Sequence, residues 1–92
     1  GLTNPETHTL LSTYPNPFNG MMKIDFYLPQ STNAEISLFN FSGELVTLLA
    51  KEYMSRGKHS IEWSGENIPA GIYFIHFRAN SFETISKVIL VK

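Results

Sequence analysis

The 92 residues contain no cysteine. Disulfides, thiolate nucleophiles and cysteine-ligated zinc sites are therefore excluded. Aspartate occurs once, at Asp25, which leaves little material for a paired-carboxylate site. Neither charge sign is in excess: seven basic and eight acidic side chains give a net charge of -1. That balance is no footprint for nucleic acid or an anionic membrane. No apolar run approaches the ~18–20 residues that a spanning helix needs. A signal peptide is also missing, and the chain opens on Gly1 rather than Met, so it reads as a piece of a longer protein. No segment carries a convincing helical period, a solenoid-length repeat or a low-complexity tract.

What is present is alternation. Hydrophobic residues make up 42% and aromatics 13% of the chain, enough for the core of one domain. Residues 1–8 are polar, broken by Pro5, and read as a linker from a larger parent protein; residues 9–92 read as the folded unit. The run Pro69-Ala70-Gly71-Ile72-Tyr73-Phe74-Ile75-His76-Phe77 organises the rest. Pro69 cannot donate to a ladder, so the strand begins after it, and Gly71 allows a tight entry. Tyr73, Ile75 and Phe77 then face the core, while Phe74, His76 and Arg78 face the other way. Such a strand belongs near the middle of a sheet. Tyr73, two residues past Gly71, suits either a tyrosine corner or a plain aromatic core position.

The other strands follow by the same period of two. Residues 9–13 form a short edge strand. Tyr14-Pro15-Asn16-Pro17-Phe18-Asn19-Gly20 is a rigid corner, with Tyr14 and Phe18 expected to tuck beneath it. Met22, Ile24, Phe26 and Leu28 face inward on the second strand, and Ala34, Ile36 and Leu38 on the third. Asn40-Phe41-Ser42-Gly43 is a turn. Residues 44–50 form a fourth strand and residues 51–56 a charged connection. His59, Ile61 and Trp63 share one side of the fifth strand. Asn80-Ser81 is a two-residue turn into the last strand, residues 82–92. The expected core includes Ile24, Phe26, Ile36, Leu38, Ile61, Trp63, Tyr73, Ile75, Val88 and Leu90. The fold class is all-β: an immunoglobulin-like or fibronectin-III-like antiparallel sandwich of about seven strands.

Catalysis needs a nucleophile, a base and an orienting group that converge, and no motif supplies them. His8, His59 and His76 are scattered; His59 reads as a half-buried packing residue and His76 as a surface one. Glu35, Glu44, Glu62 and Glu66 read as solvated carboxylates. No catalytic residue, metal or cofactor is expected. Asn40-Phe41-Ser42 matches a glycosylation acceptor pattern, but Asn40 before Gly43 reads first as a turn residue.

Several segments together resemble one family. Tyr14-Pro15-Asn16-Pro17-Phe18-Asn19 is similar to the opening motif of the type A C-terminal sorting domain of the type IX secretion system. Closely similar Ig-like modules occur in the flagellar hook-capping protein family. Ile68-Pro69-Ala70-Gly71-Ile72-Tyr73-Phe74 resembles the sorting-domain family's Pro/Ala-Gly-x-Tyr segment. Lys87, Val88, Ile89, Leu90, Val91 and Lys92 resemble its Lys-hydrophobic-Lys tail. The turn Asn40-Phe41-Ser42-Gly43-Glu44-Leu45-Val46 is similar to a family turn in which Asn40 and Glu44 replace an acidic and a basic residue. Gly20 stands where the family often has Pro.

The resemblance implies a non-catalytic address module on a secreted parent. Outer-membrane secretion machinery would recognise it in the periplasm and a sorting peptidase would often remove it. The parent would end up secreted or held at the cell surface. The six tail residues would carry recognition, with Lys87 projecting outward and Lys92 at the free end. Tyr14 to Asn19, with Gly71 and Tyr73, would be the structural motif. Partners would be that machinery, the peptidase and the parent's upstream domain. The alternative is a carbohydrate-binding or structural Ig-like accessory module of a secreted glycoside hydrolase. A coplanar strip of exposed aromatics would favour the alternative; a flat polar face with an exposed tail would favour sorting.

Overall fold

The computed structural model describes residues 10–80 and 82–92. The expected linker, Thr9 and Ser81 lie outside the described residues. The chain forms β1 (Leu10–Tyr14), β2 (Met21–Leu28), β3 (Thr32–Asn40), β4 (Leu45–Met54), β5 (Gly57–Ser64), β6 (Gly71–Ala79) and β7 (Phe82–Leu90). These strands build a three-stranded sheet, β1-β2-β5, and a four-stranded sheet, β4-β3-β6-β7. Every strand pairing is antiparallel. The result is the expected immunoglobulin-like sandwich.

The core lies between the inner faces, where the period-2 residues meet. Ile24, Leu28, Ile36, Leu38, Ile75 and Phe77 are fully buried. Burying side chains of this size stabilises by about 1.5–3 kcal/mol each relative to exposure, which is why the alternation fixes the register. Ile61 and Trp63 are only half-buried and pack against this core from β5. β5 is an edge strand, so its inward side chains are covered from one flank only.

β6 takes the central place expected of it, between β3 and β7. Gly71 opens it at φ 155°, a backbone setting that glycine adopts without a Cβ penalty. Tyr73 is 6% exposed, and its hydroxyl donates to the Pro69 carbonyl at 2.5 Å. Both readings of this residue therefore hold: it is a core aromatic and it pins the corner before β6.

Two expectations are corrected. Tyr14 does not tuck beneath the corner; it is exposed and its hydroxyl reaches across to Asp25. Residues 51–54 are strand, not connection. β4 is an edge strand whose outward positions take charge freely. Its pairing with β3 also slips at Ile36/Ser37 and at Leu38/Phe39. Those bulges break the period of two within Leu45–Ala50; the continuation pairs with Thr32–Glu35 without a shift, and its exposed Lys51, Glu52 and Tyr53 hid it.

Candidate functional site

β7 lies at the edge of the four-stranded sheet. An edge strand presents every second N–H and C=O outward. Over its last part these groups are covered by the corner that precedes β2. The Asn16 side-chain amide donates to the Lys87 carbonyl at 3.0 Å. The Ile89 N–H donates to Asn16 Oδ1 at 3.0 Å. The Phe18 N–H donates to the Ile89 carbonyl and the Val91 N–H donates to the Phe18 carbonyl, both at 2.8 Å. Phe18 thereby makes a parallel bridge with Leu90. The Tyr14–Pro15 and Asn16–Pro17 peptide bonds are cis.

Phe18 anchors this arrangement. Its ring is fully buried and lies 6.1 Å from the Trp63 ring, tilted by 58°. Gly65 is buried directly beneath it: a Cβ there would lie 3.1 Å from the Phe18 ring and 3.2 Å from Leu90. The corner motif and the tail thus form one unit at one end of the sandwich. Sequence reasoning identified both segments but not their contact. The only local signal was Asn16 between two prolines, which reads as turn chemistry.

Within the tail, Val88 and Leu90 are buried and Lys87 is exposed. Lys92 is exposed too, but its ammonium is engaged: it donates to the carbonyls of Glu66, at 3.0 Å, and Ile68, at 2.5 Å. Asn19 is an exposed turn residue.

The two outer faces differ in character. On the three-stranded sheet, Tyr14 faces Lys23 and Glu62 in one row, and Ser12 faces Asp25 and Ser60 in the next. Tyr14 donates to Asp25 at 2.6 Å and Ser60 donates to it at 2.7 Å. The Tyr14 bond first, then the Ser60 bond, holds the Asp25 carboxyl below its ordinary value. The same Asp25 bond, followed by desolvation, raises the Tyr14 phenol. Lys23, whose ammonium lies 5.9 Å from the Tyr14 ring centre, is raised chiefly by its interaction with Tyr14.

On the four-stranded sheet the rows run from apolar to charged. Leu45, Phe39, Phe74 and Lys87 lie level with one another, followed by Leu48, Ser37, His76 and Ile85, then Lys51, Glu35, Arg78 and Glu83. Phe41 stands 72% exposed beside them. His76 is partly covered rather than fully at the surface. It lies edge-on to Phe39 and its Nε2 is 3.2 Å from Glu83. His59 packs as expected, stacked on Phe26 at 5.3 Å.

Asn40 is a turn residue, as read. Its side-chain oxygen accepts from the N–H groups of Ser42 and Glu44. Among the described residues, no group of three or more His, Asp or Glu side chains is placed to hold a metal ion.

The family model for the secretion system C-terminal sorting domain matches residues 12–92. The chain belongs to the family of type IX secretion C-terminal sorting domains. A sorting domain of this kind is non-catalytic in itself, and it marks its carrier for export to the surface or beyond. No curated protein sequence matches the chain. Among solved structures, the sorting domain is similar to part of dimeric latent PorU from Porphyromonas gingivalis. The TM-score is 0.70 and the identity 22%, over 90% of this chain and 9% of that one. That likeness is one of fold. No described helix is long and apolar enough to cross a membrane.

Proposed function

We propose that the chain is the folded address of a larger secreted protein. In this reading residues 9–92 form the module and residues 1–8 join it to the parent's upstream domain. Outer-membrane export machinery meets the module in the periplasm and reads residues 87–92. A sorting peptidase then releases or transfers the parent, which is held at the cell surface or set free. The observation that carries the reading is the family match, together with a tail strand seated on the rigid sheet edge with Lys87 exposed. A recognition signal needs an accessible edge on a stiff scaffold rather than a concave pocket. Lys92, held by two carbonyls, serves to position the tail, and Lys87 is the charge open to a receptor.

The outer face with Phe39, Phe41 and Phe74 favours a second reading, an accessory module that grips a partner. A sugar is a poor fit. The shallow groove there is lined by Phe39, Asn40, Phe41, Gly43, Phe74, His76 and Ile85. Its two polar side chains are already engaged, Asn40 within its turn and His76 with Glu83. A carbohydrate site needs free polar groups to orient the ligand.

The test is a reporter fused ahead of this chain in a bacterium with type IX secretion. The unaltered fusion should reach the surface or the medium. Lys87→Glu should leave it in the periplasm with an unchanged melting point, since isolated surface changes usually stay within about 0.5 kcal/mol. Retention of the unaltered fusion would overturn the sorting reading. Normal export of Lys87→Glu would overturn the role given to that lysine.

A further inference from the structure

The corner that seals β7 contains one peptide unit held by neither side. The Phe18 carbonyl accepts from the Val91 N–H at 2.8 Å, and the Gly20 carbonyl accepts from the Gly65 N–H at 2.7 Å. Between these two clamps lies the peptide unit that joins Asn19 to Gly20. Among the described residues, neither the Asn19 carbonyl nor the Gly20 N–H has a hydrogen-bond partner. Asn19 is exposed, whereas the side-chain amides of Asn16 and Asn40 are engaged. Gly20 sits at φ 87°, with no atom within 4 Å of the place a Cβ would take. Its nitrogen is therefore approachable from that side.

We propose that Asn19-Gly20 is a self-modification site, at which the Gly20 nitrogen attacks Asn19 Cγ and converts the asparagine to a β-linked or an ordinary aspartate. The new C–N bond closes a five-membered imide. The side-chain amide leaves as ammonia, taking the Gly20 amide proton. Water then opens the ring at either carbonyl and returns a proton to the Gly20 nitrogen. The sequence selects this residue. Of the seven asparagines, Asn19 alone precedes a glycine. Asn4 and Asn16 precede prolines, which have no N–H to react. The residue after each of the others carries a Cβ that crowds the attacking nitrogen.

The position gives the change a structural consequence. In the β-linked product the main chain runs through the former side chain, so one methylene is added between the Phe18 and Gly20 carbonyls. Phe18 is fixed by its buried ring, so the slack falls on the Gly20 carbonyl and its bond from Gly65. Gly65 in turn accepts from the Ile68 N–H, in the loop that holds the Lys92 ammonium. Loss of ammonia makes the step one-way. The site thus acts as a slow timer on the seal between corner and tail, and its chemistry is independent of the sorting reading.

The test uses the 92-residue chain, kept folded at mildly alkaline pH. Peptide mapping by mass spectrometry should find the asparagine-to-aspartate change at Asn19, while Asn33, Asn40 and Asn67 stay intact. The rate should rise with pH, because the Gly20 nitrogen attacks once deprotonated. Asn19→Gln should abolish the change. Gly20→Ala should slow it, since the added Cβ crowds the nitrogen. Circular dichroism checks that each variant is folded. Amide exchange at Gly65 should quicken roughly tenfold in the purified β-linked form, as expected for the loss of one hydrogen bond. Asn19→Asp, which keeps the chain length, should leave that exchange unchanged. An Asn19 that stays intact in the folded chain, or that changes no faster than the other three, overturns the proposal. So does a rate that Gly20→Ala leaves unaltered. Equal Gly65 exchange in the β-linked form and the parent overturns the timer.

Discussion

Ile89 donates its N–H to the side-chain oxygen of Asn16, 73 positions earlier, at 3.0 Å. The same Asn16 side chain donates its amide to the Lys87 carbonyl. One side chain thus satisfies both an outward donor and an outward acceptor of the last strand. It turns part of an exposed edge, where foreign strands add readily, into a closed one. Two of the segments that the family motifs single out, the corner and the tail, are parts of a single piece of structure.

Asn16→Ala should therefore loosen the tail more than the sandwich. Losing these two bonds should cost about 1–3 kcal/mol and speed amide exchange at Ile89. Asn16→Asp keeps the acceptor for Ile89 but sets an oxygen against the Lys87 carbonyl, so it should recover little of the loss. Urea melts with residue-resolved exchange test this. Unchanged exchange at Ile89 in Asn16→Ala would contradict the role assigned to Asn16.

Gly65→Ala tests how tightly the same end of the molecule is packed. The added Cβ would approach Phe18 at 3.1 Å, Leu90 at 3.2 Å and Trp63 at 3.3 Å. Phe18 and Leu90 are buried, so neither can swing into solvent. Overpacking of this kind should cost about 1–3 kcal/mol. A melting temperature equal to the parent's would mean that this end of the core yields more easily than its geometry implies.

The sandwich was legible because burial has a period. β2 and β6 alternate without a break, and their inward residues are the ones found in the core. β4 was half legible: its bulges against β3 shift Leu45 and Leu48 to the outside, and a periodic reading has no rule for that. Ile61 and Trp63 share the inward phase but sit on an edge strand, and alternation alone does not say how well a face is covered. The outward turn of Tyr14 rests on Asp25, a partner eleven residues on in a neighbouring strand. The contact of Asn16 with β7 spans most of the chain. Motif resemblance marked both ends of that contact, but only the fold joins them.

The Tyr14–Asp25 bond gives the stability a definite dependence on pH. The folded state holds Asp25 below its ordinary pKa, so its contribution is present above that ordinary value and is lost as pH falls through the folded one. Tyr14 has the opposite sign: its pKa is raised, so its contribution is present below the ordinary value and is lost as pH rises through the folded one. Asp25→Asn should lower the melting temperature at neutral pH. The gap from the parent should narrow as pH falls from about 5 to 2. Tyr14→Phe should also narrow that gap, because it removes the main cause of the Asp25 shift. A gap for Asp25→Asn that stays constant across that range would show that Asp25 contributes nothing through its charge.

Lys92 offers a way to separate folding from recognition in the tail. Its ammonium donates to the Glu66 and Ile68 carbonyls, in the same loop whose Pro69 carbonyl accepts from Tyr73. The loop before β6 is thus held from the tail and from the core. Lys92→Met keeps much of the side chain's length and removes the donors. It should cost about 1 kcal/mol, less than a buried charged bond, because the contact is exposed. Amide exchange should quicken at Ile68, whose N–H closes the loop on the Gly65 carbonyl, while Tyr73 stays protected. In the reporter fusion, Lys92→Met should still be exported, since its charge is occupied within the module, whereas Lys87→Glu should not. If Lys92→Met blocks export without disturbing the loop, the ammonium is read by the receptor after all, and the structural role given to it here is wrong.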